Sequence, residues 1–112
     1  MTDITKDQFW GVLNEPEPEI AFNSYNYKVY SWYNENGQLH RDNDLPARIW
    51  YYRNGNSQQK IWYRNGKRHR VDGPAEIWYD RKGNIEEKCW YLNGTYYPQA
   101  QYQEKLKELG HE

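Results

Sequence analysis

The chain has 112 residues, which is one domain's worth and excludes an enzyme with separate cofactor and substrate domains. Its mean hydropathy is −1.32, and with 6 Trp, 12 Tyr and 2 Phe against only 15 Ile, Leu and Val it cannot build an aliphatic core but is too aromatic for a disordered chain, so it must fold around rings. The net charge of −1 hides a basic centre: residues 38–82 carry 10 basic and 5 acidic side chains, flanked by 2 and 6 before them and 3 and 5 after, enough to attract an anionic partner but not to coat nucleic acid.

In chain order, Thr5 with Gln8 makes a capping-box pattern and Ile4 with Phe9 a hydrophobic staple, which predict a helix from Lys6 to Leu13 within an N-terminal piece of residues 1–14. Glu15-Pro16-Glu17-Pro18-Glu19 breaks that helix, and residues 15–26 are expected to be a linker. From residue 27 to 97 the sequence repeats. Trp50-Tyr51 with Gly55 returns as Trp78-Tyr79 with Gly83, Trp62-Tyr63-Arg64-Asn65-Gly66 as Trp90-Tyr91-Leu92-Asn93-Gly94, and Pro46-Ala47 as Pro74-Ala75, each 28 residues on. An earlier copy, Trp32-Tyr33-Asn34-Glu35-Asn36-Gly37, precedes His40-Arg41, which matches His69-Arg70. Short alternating runs separated by Asn-Gly or Lys-Gly are hairpin grammar, so the expected fold is mainly β: an antiparallel hairpin meander of five to six strands. Pro98 then opens a predicted C-terminal helix over residues 98–110, with Tyr102, Leu106 and Leu109 on one face and Gly110 at its end.

The unit Trp62-Tyr-Arg-Asn-Gly-Lys-Arg-His-Arg-Val-Asp-Gly-Pro-Ala75, followed by Trp-Tyr and a glycine turn, resembles the MORN-like repeat of uncharacterised bacteriophage and giant-virus proteins. The resemblance covers residues 30–105 and implies β-hairpin repeats and a viral source, with no enzymatic activity attached. The first copy departs from the pattern at Asp42-Asn43-Asp44-Leu45, so its turn must be built differently.

Alternation sorts the strand residues into two faces. Val29, Ile49, Tyr51, Ile61, Tyr63, Ile77, Tyr79, Cys89 and Tyr91 form the expected core face. The other collects every tryptophan of the repeats among charges, either a self-supporting ladder, which regular repetition favours, or a binding surface. Its candidate partner contacts are Arg48, Trp50, Tyr52, Lys60, Trp62 and Arg64.

Catalytic readings are weaker than structural ones at each polar cluster. His40, Arg41 and Asp44, like His69, Arg70 and Asp72, stand at one point of the repeat and are expected to close turns through Arg–Asp and His–backbone hydrogen bonds. No metal-ligand spacing, serine elbow or phosphate loop is present, so no metal, cofactor or enzymatic activity is expected. Cys89, the lone cysteine, occupies the repeat position of Ile61 and suits a reducing compartment without disulfides. No apolar run approaches the ~20 residues of a membrane span and no leader pattern opens the chain, which points to the host cytoplasm. The functional expectation is a non-enzymatic viral accessory protein that binds and inhibits a host protein, in the manner of an anti-defence or anti-CRISPR inhibitor. The alternatives are a sponge for a small anionic signalling nucleotide, and a nucleic-acid-binding or virion-structural protein.

Overall fold

The computed structural model describes residues 15–111; the helix expected before Glu15 lies outside them. Nine strands follow one another as β1 (Glu19–Phe22), β2 (Lys28–Ser31), β3 (Arg48–Tyr51), β4 (Ser57–Ile61), β5 (Tyr63–Arg64), β6 (Lys67–Arg68), β7 (Glu76–Tyr79), β8 (Ile85–Leu92) and β9 (Thr95–Tyr97), ahead of helix α1 (Gln99–Glu108). Seven of them form an antiparallel sheet in the order β1-β2-β3-β4-β7-β8-β9, a meander interrupted only where the small β5–β6 hairpin is inserted. Six of the sheet strands come from residues 27–97. The seventh, β1, falls in the segment expected to be linker, where Ile20 and Phe22 pair opposite Tyr30 and Lys28.

The hairpins form where the sequence supplies residues that tolerate positive φ. Asn65-Gly66 (φ 50° and 83°) and Asn93-Gly94 (φ 49° and 87°) give the left-handed pair that a tight two-residue turn demands. The connection after His40 is built on Asn43 and Asp44 (φ 65° and 56°), whereas its later counterpart uses Gly73 (φ 155°), so the two copies turn differently. Helix α1 follows Pro98 and ends with Gly110 at φ 87°, the left-handed conformation that closes a helix C-terminus.

The register overturns the expected division into a core face and a tryptophan face. Directly opposed residues of antiparallel strands share a face, and Arg48 opposes Ile61, Ile49 opposes Lys60, and Trp50 opposes Gln59. Likewise Lys60 opposes Ile77, and Ile77 opposes Lys88. Each successive strand is thus one residue out of step with the sorting made from alternation, which aligned the Ile-Trp-Tyr runs of neighbouring strands, and a one-residue offset moves a whole strand's side chains across the sheet. Ile49 and Ile77 lie on one face; Ile61 and Cys89 lie on the other. All four are buried.

Continuing each register by one residue produces a row in which large and small side chains alternate: Trp32, Ala47, Trp62, Ala75, Trp90. Backbone bonds from Trp32 N to Ala47 O (2.8 Å) and from Trp62 N to Ala75 O (2.7 Å) extend the ladders through it. Ala47 and Ala75 are fully buried, so each indole lies over the space a methyl group leaves beside it. At the far end Tyr102 and Leu106 of α1 pack with Leu92, Trp90 and Tyr97, while Leu109, expected on the same face, stays exposed.

Ala75→Leu should therefore overfill the row and lower the unfolding free energy by about 1–3 kcal/mol, measured by chemical denaturation. Lys82→Ala, in an exposed turn, should change it by no more than about 0.5 kcal/mol. Equal stability of the two variants would contradict the packing described.

Candidate functional site

On the tryptophan–alanine face, each half of the His-Arg pair has its own task. The Arg41 guanidinium carbon lies 3.7 Å from the centroid of the Trp32 ring, and that of Arg70 lies 3.9 Å from Trp62. Both are stacked cation–π contacts. Arg41 takes both carboxylate oxygens of Glu15, at 2.6 and 3.2 Å, and donates to the Pro46 carbonyl at 3.1 Å. Arg70 does the same with Asp44, at 2.9 and 3.2 Å, and with Pro74, at 3.1 Å. The carboxylate comes from 26 residues earlier in both cases, so the arginines pair outside their own turns: Arg70 with the preceding copy, Arg41 with the segment before the first copy. Asp72, the position equivalent to Asp44, makes no ion pair among the described residues. Tyr102 takes the arginine's place over the third tryptophan, its ring 6.4 Å from that of Trp90 and its hydroxyl donating to the Arg70 carbonyl at 2.6 Å.

The histidines also reach forward by one copy. His40 Nδ1 accepts the backbone N–H of Asn65 at 3.0 Å, and His69 Nδ1 accepts that of Asn93 at 2.9 Å. These are the first residues of the two left-handed turns, whose N–H groups point away from their own hairpins and need an outside acceptor. His40 is oriented by Asp42, 3.0 Å from its Nε2. Burial, Arg64 and His111 hold the His69 pKa below the ordinary value of 6.5.

The opposite face carries a different array. Trp50 and Trp78 stand on either side of Gln59. Beside them, Arg48 donates to Ser31 Oγ at 3.0 Å and to the Tyr33 hydroxyl at 3.5 Å. Glu76 is buried, accepting from Trp78 Nε1 at 2.6 Å and lying 2.9 Å from Arg68 Nε in an ion pair whose N–H is not aligned for a hydrogen bond. Arg68 in turn lies 5.6 and 5.5 Å from the ring centroids of Tyr63 and Tyr91. Trp50, Trp78, Tyr33, Tyr63 and Tyr91 are each half-buried. Among the described residues no helix packs on this face, since α1 meets β8 and β9 from the tryptophan–alanine side, and from the small β5–β6 hairpin the Arg68 side chain reaches over it.

The six contacts expected from the sequence are consequently dispersed. Arg48 and Trp50 lie on the open face, Lys60 and Trp62 on the other, Arg64 on the β5–β6 hairpin, and Tyr52 in a turn, where its hydroxyl donates to the Tyr79 carbonyl at 2.6 Å. Trp62, at 7% exposure beneath Arg70, presents almost no ring to a partner. Tyr33, Arg68, Glu76 and Trp78 were missed as a group because alternation, without the register between strands, placed their neighbours on the wrong side. Cys89 lies on this face too, buried, with its thiol pushed up to about 11 by burial and by Glu87 and Glu76, so its thiolate is scarce at neutral pH. Among the described residues no three His, Cys, Asp or Glu side chains converge to hold a metal ion. Comparison with protein-family models, curated proteins and solved structures finds no match for the chain.

Protonating His69 at Nδ1 would abolish its acceptance of the Asn93 N–H. With a folded pKa below the unfolded 6.5, its contribution to stability is complete above about pH 6.5 and disappears as the pH falls through the lower folded value. The melting temperature of the native chain should fall more between pH 7 and 5 than that of His69→Gln. A parallel fall in both would contradict the assigned role.

Proposed function

We propose that the chain is a non-catalytic binding protein that captures another protein on the open face of its sheet. One observation carries this reading: a row of half-buried tryptophans and tyrosines, interleaved with Arg48 and Arg68, is fixed in place by its own hydrogen bonds and stacking yet has no covering helix among the described residues. Trp, Tyr and Arg are the residue types that dominate interface hot spots, and side chains already held in one rotamer lose little entropy on binding. The surface also offers both signs of charge, the Arg48 guanidinium and the Arg68–Glu76 pair, which favours a mixed polar and apolar protein surface over a polyanion.

The resemblance of the repeat to MORN-like proteins of bacteriophages and giant viruses supports a viral accessory role, in which capture of a host protein blocks it. Anti-defence activity, including inhibition of a CRISPR effector, is the form of this role that a small rigid binder suits. The action proposed is steric occlusion in the host cytoplasm, without a cofactor.

Affinity capture from host lysate tests the reading. A host protein should be retained at near-unit ratio, and Trp50→Ala with Trp78→Ala should weaken its binding by about thirtyfold or more, corresponding to hot-spot losses of about 2 kcal/mol. The double variant must keep the native circular dichroism spectrum. Retention of the same partner at undiminished affinity by the folded variant would overturn the assignment of the face.

A further inference from the structure

At the end of the sheet away from the Asn-Gly hairpins, three turns formed by residues 23–27, 52–56 and 80–84 stand side by side. Each is closed by the same backbone pattern, in which the first residue's N–H donates to the carbonyl four residues on. They are tied to one another: Asn54 and Asn56 both donate to the Arg81 carbonyl, at 3.0 and 2.9 Å, and an Arg81 terminal nitrogen donates to the Tyr27 hydroxyl at 2.9 Å. Between the turns lies an open recess of about 700 Å³, lined in part by Tyr25, Tyr27, Tyr52, Arg53, Asn54 and Arg81.

We infer that this recess is a binding site for a mononucleotide, with the base stacked on tyrosine and the phosphate held by Arg53 and Arg81. Three observations converge on that chemistry. First, Arg81 is already positioned, its guanidinium 5.6 Å from the Tyr52 ring centroid and one nitrogen committed to Tyr27, which leaves its remaining N–H groups without an acceptor among the described residues. Arg53, on the same wall, has no ion-pair or hydrogen-bond partner among the described residues. Two such guanidinium groups match a phosphate monoester.

Second, the rings are set at angles that leave an open stacking surface. Tyr27 meets Tyr52 edge to face at 5.7 Å, and Tyr25 is tilted 50° from Tyr27 at 6.3 Å. Tyr25 is 72% exposed, a large aromatic left in water with one ring face available for a planar base. Third, the local charges leave room for an anion. The carboxylates near Tyr52 are Asp80 and Glu86. Asp80 keeps its charge, but its oxygens are turned to the N–H groups of Lys82 and Asn84 and to the Asn84 side chain, and neither it nor Glu86 forms an ion pair with Arg53 or Arg81 among the described residues.

The volume lies within the roughly 300–1,000 Å³ of small-ligand sites, more than a bare phosphate fills. The lining residues named belong to turns and not to strands, so the recess offers no strand edge for a peptide backbone. The recess lies at the turn end of the sheet, and its named lining includes none of the residues named for the open face.

Titration of the full chain with AMP, GMP, CMP and UMP, followed by calorimetry and by chemical-shift changes at Tyr25 and Tyr27, tests the inference. At least one monophosphate should bind in the micromolar range, about tenfold or more tighter than its own nucleoside and than inorganic phosphate. Arg81→Ala should weaken that binding by about tenfold or more, and so should Arg53→Glu, which breaks no hydrogen bond or ion pair among the described residues. Binding of all four no tighter than inorganic phosphate, an unchanged affinity in Arg53→Glu, or tighter binding of a phosphotyrosine peptide than of any monophosphate would each overturn it. None of these results depends on whether the open face captures a protein.

Discussion

A guanidinium laid flat on an indole and held there by a carboxylate from earlier in the chain is the contact on which the rest of this fold depends. Among the described residues no second sheet lies over the tryptophans of this sheet. Here the arginines of the connecting turns serve as a second layer: Arg41 over Trp32 and Arg70 over Trp62, at 3.7 and 3.9 Å. A cation placed over a ring is desolvated on one side, and the bidentate Glu15 and Asp44 carboxylates with the Pro46 and Pro74 carbonyls satisfy its edge. Asp44 belongs to the copy before Arg70, and Glu15 to the segment before the first copy, so neither repeat is complete alone, as expected of an array whose stability resides in its interfaces. The series ends when Tyr102 of the C-terminal helix covers Trp90 in the arginine's stead.

Much of this was legible in the sequence at the level of strands and turns. The Asn-Gly pairs, the 28-residue spacing of Trp-Tyr and the C-terminal pattern from Pro98 to Gly110 specify local structure, and local structure is what turn chemistry and periodicity encode. The faces were not legible. Alternation tells which residues of one strand share a side, but the side that Trp50 shares with its neighbours depends on whether it opposes Gln59 or Lys60, and that is fixed by connections whose bulges fall between Trp50 and Tyr51 and between Trp78 and Tyr79. Positions 28 residues apart share a face, as Trp50 and Trp78 do, whereas the two Trp-Tyr runs within one period, at Trp50 and Trp62, lie on opposite faces. The strand at Glu19–Phe22 was missed for a different reason: the prolines just before it punctuate the chain, and four exposed residues carry no alternating burial to read.

The functional consequence follows from the same asymmetry. Covering one face with arginines, turns and a helix leaves the other with half-buried rings around Arg48, Arg68 and Glu76, side chains whose mutual bonds fix a surface without closing it. The histidines, which invite a catalytic interpretation by their repetition, accept the N–H groups of left-handed asparagines and so stitch successive hairpins together. Chemistry-bearing residue types are thus spent on holding copies in register, and the surface that remains is suited to recognition.

The coupling between copies can be measured by a double-mutant cycle on Asp44 and Arg70, residues 26 apart in sequence and joined by two hydrogen bonds. Asp44→Ala, Arg70→Ala and the double variant would be compared by chemical denaturation. If the carboxylate of one copy holds the arginine on the tryptophan of the next, the cycle should give a coupling of about 1 kcal/mol or more, with unfolding still a single transition. Additive losses, within about 0.3 kcal/mol, would contradict it.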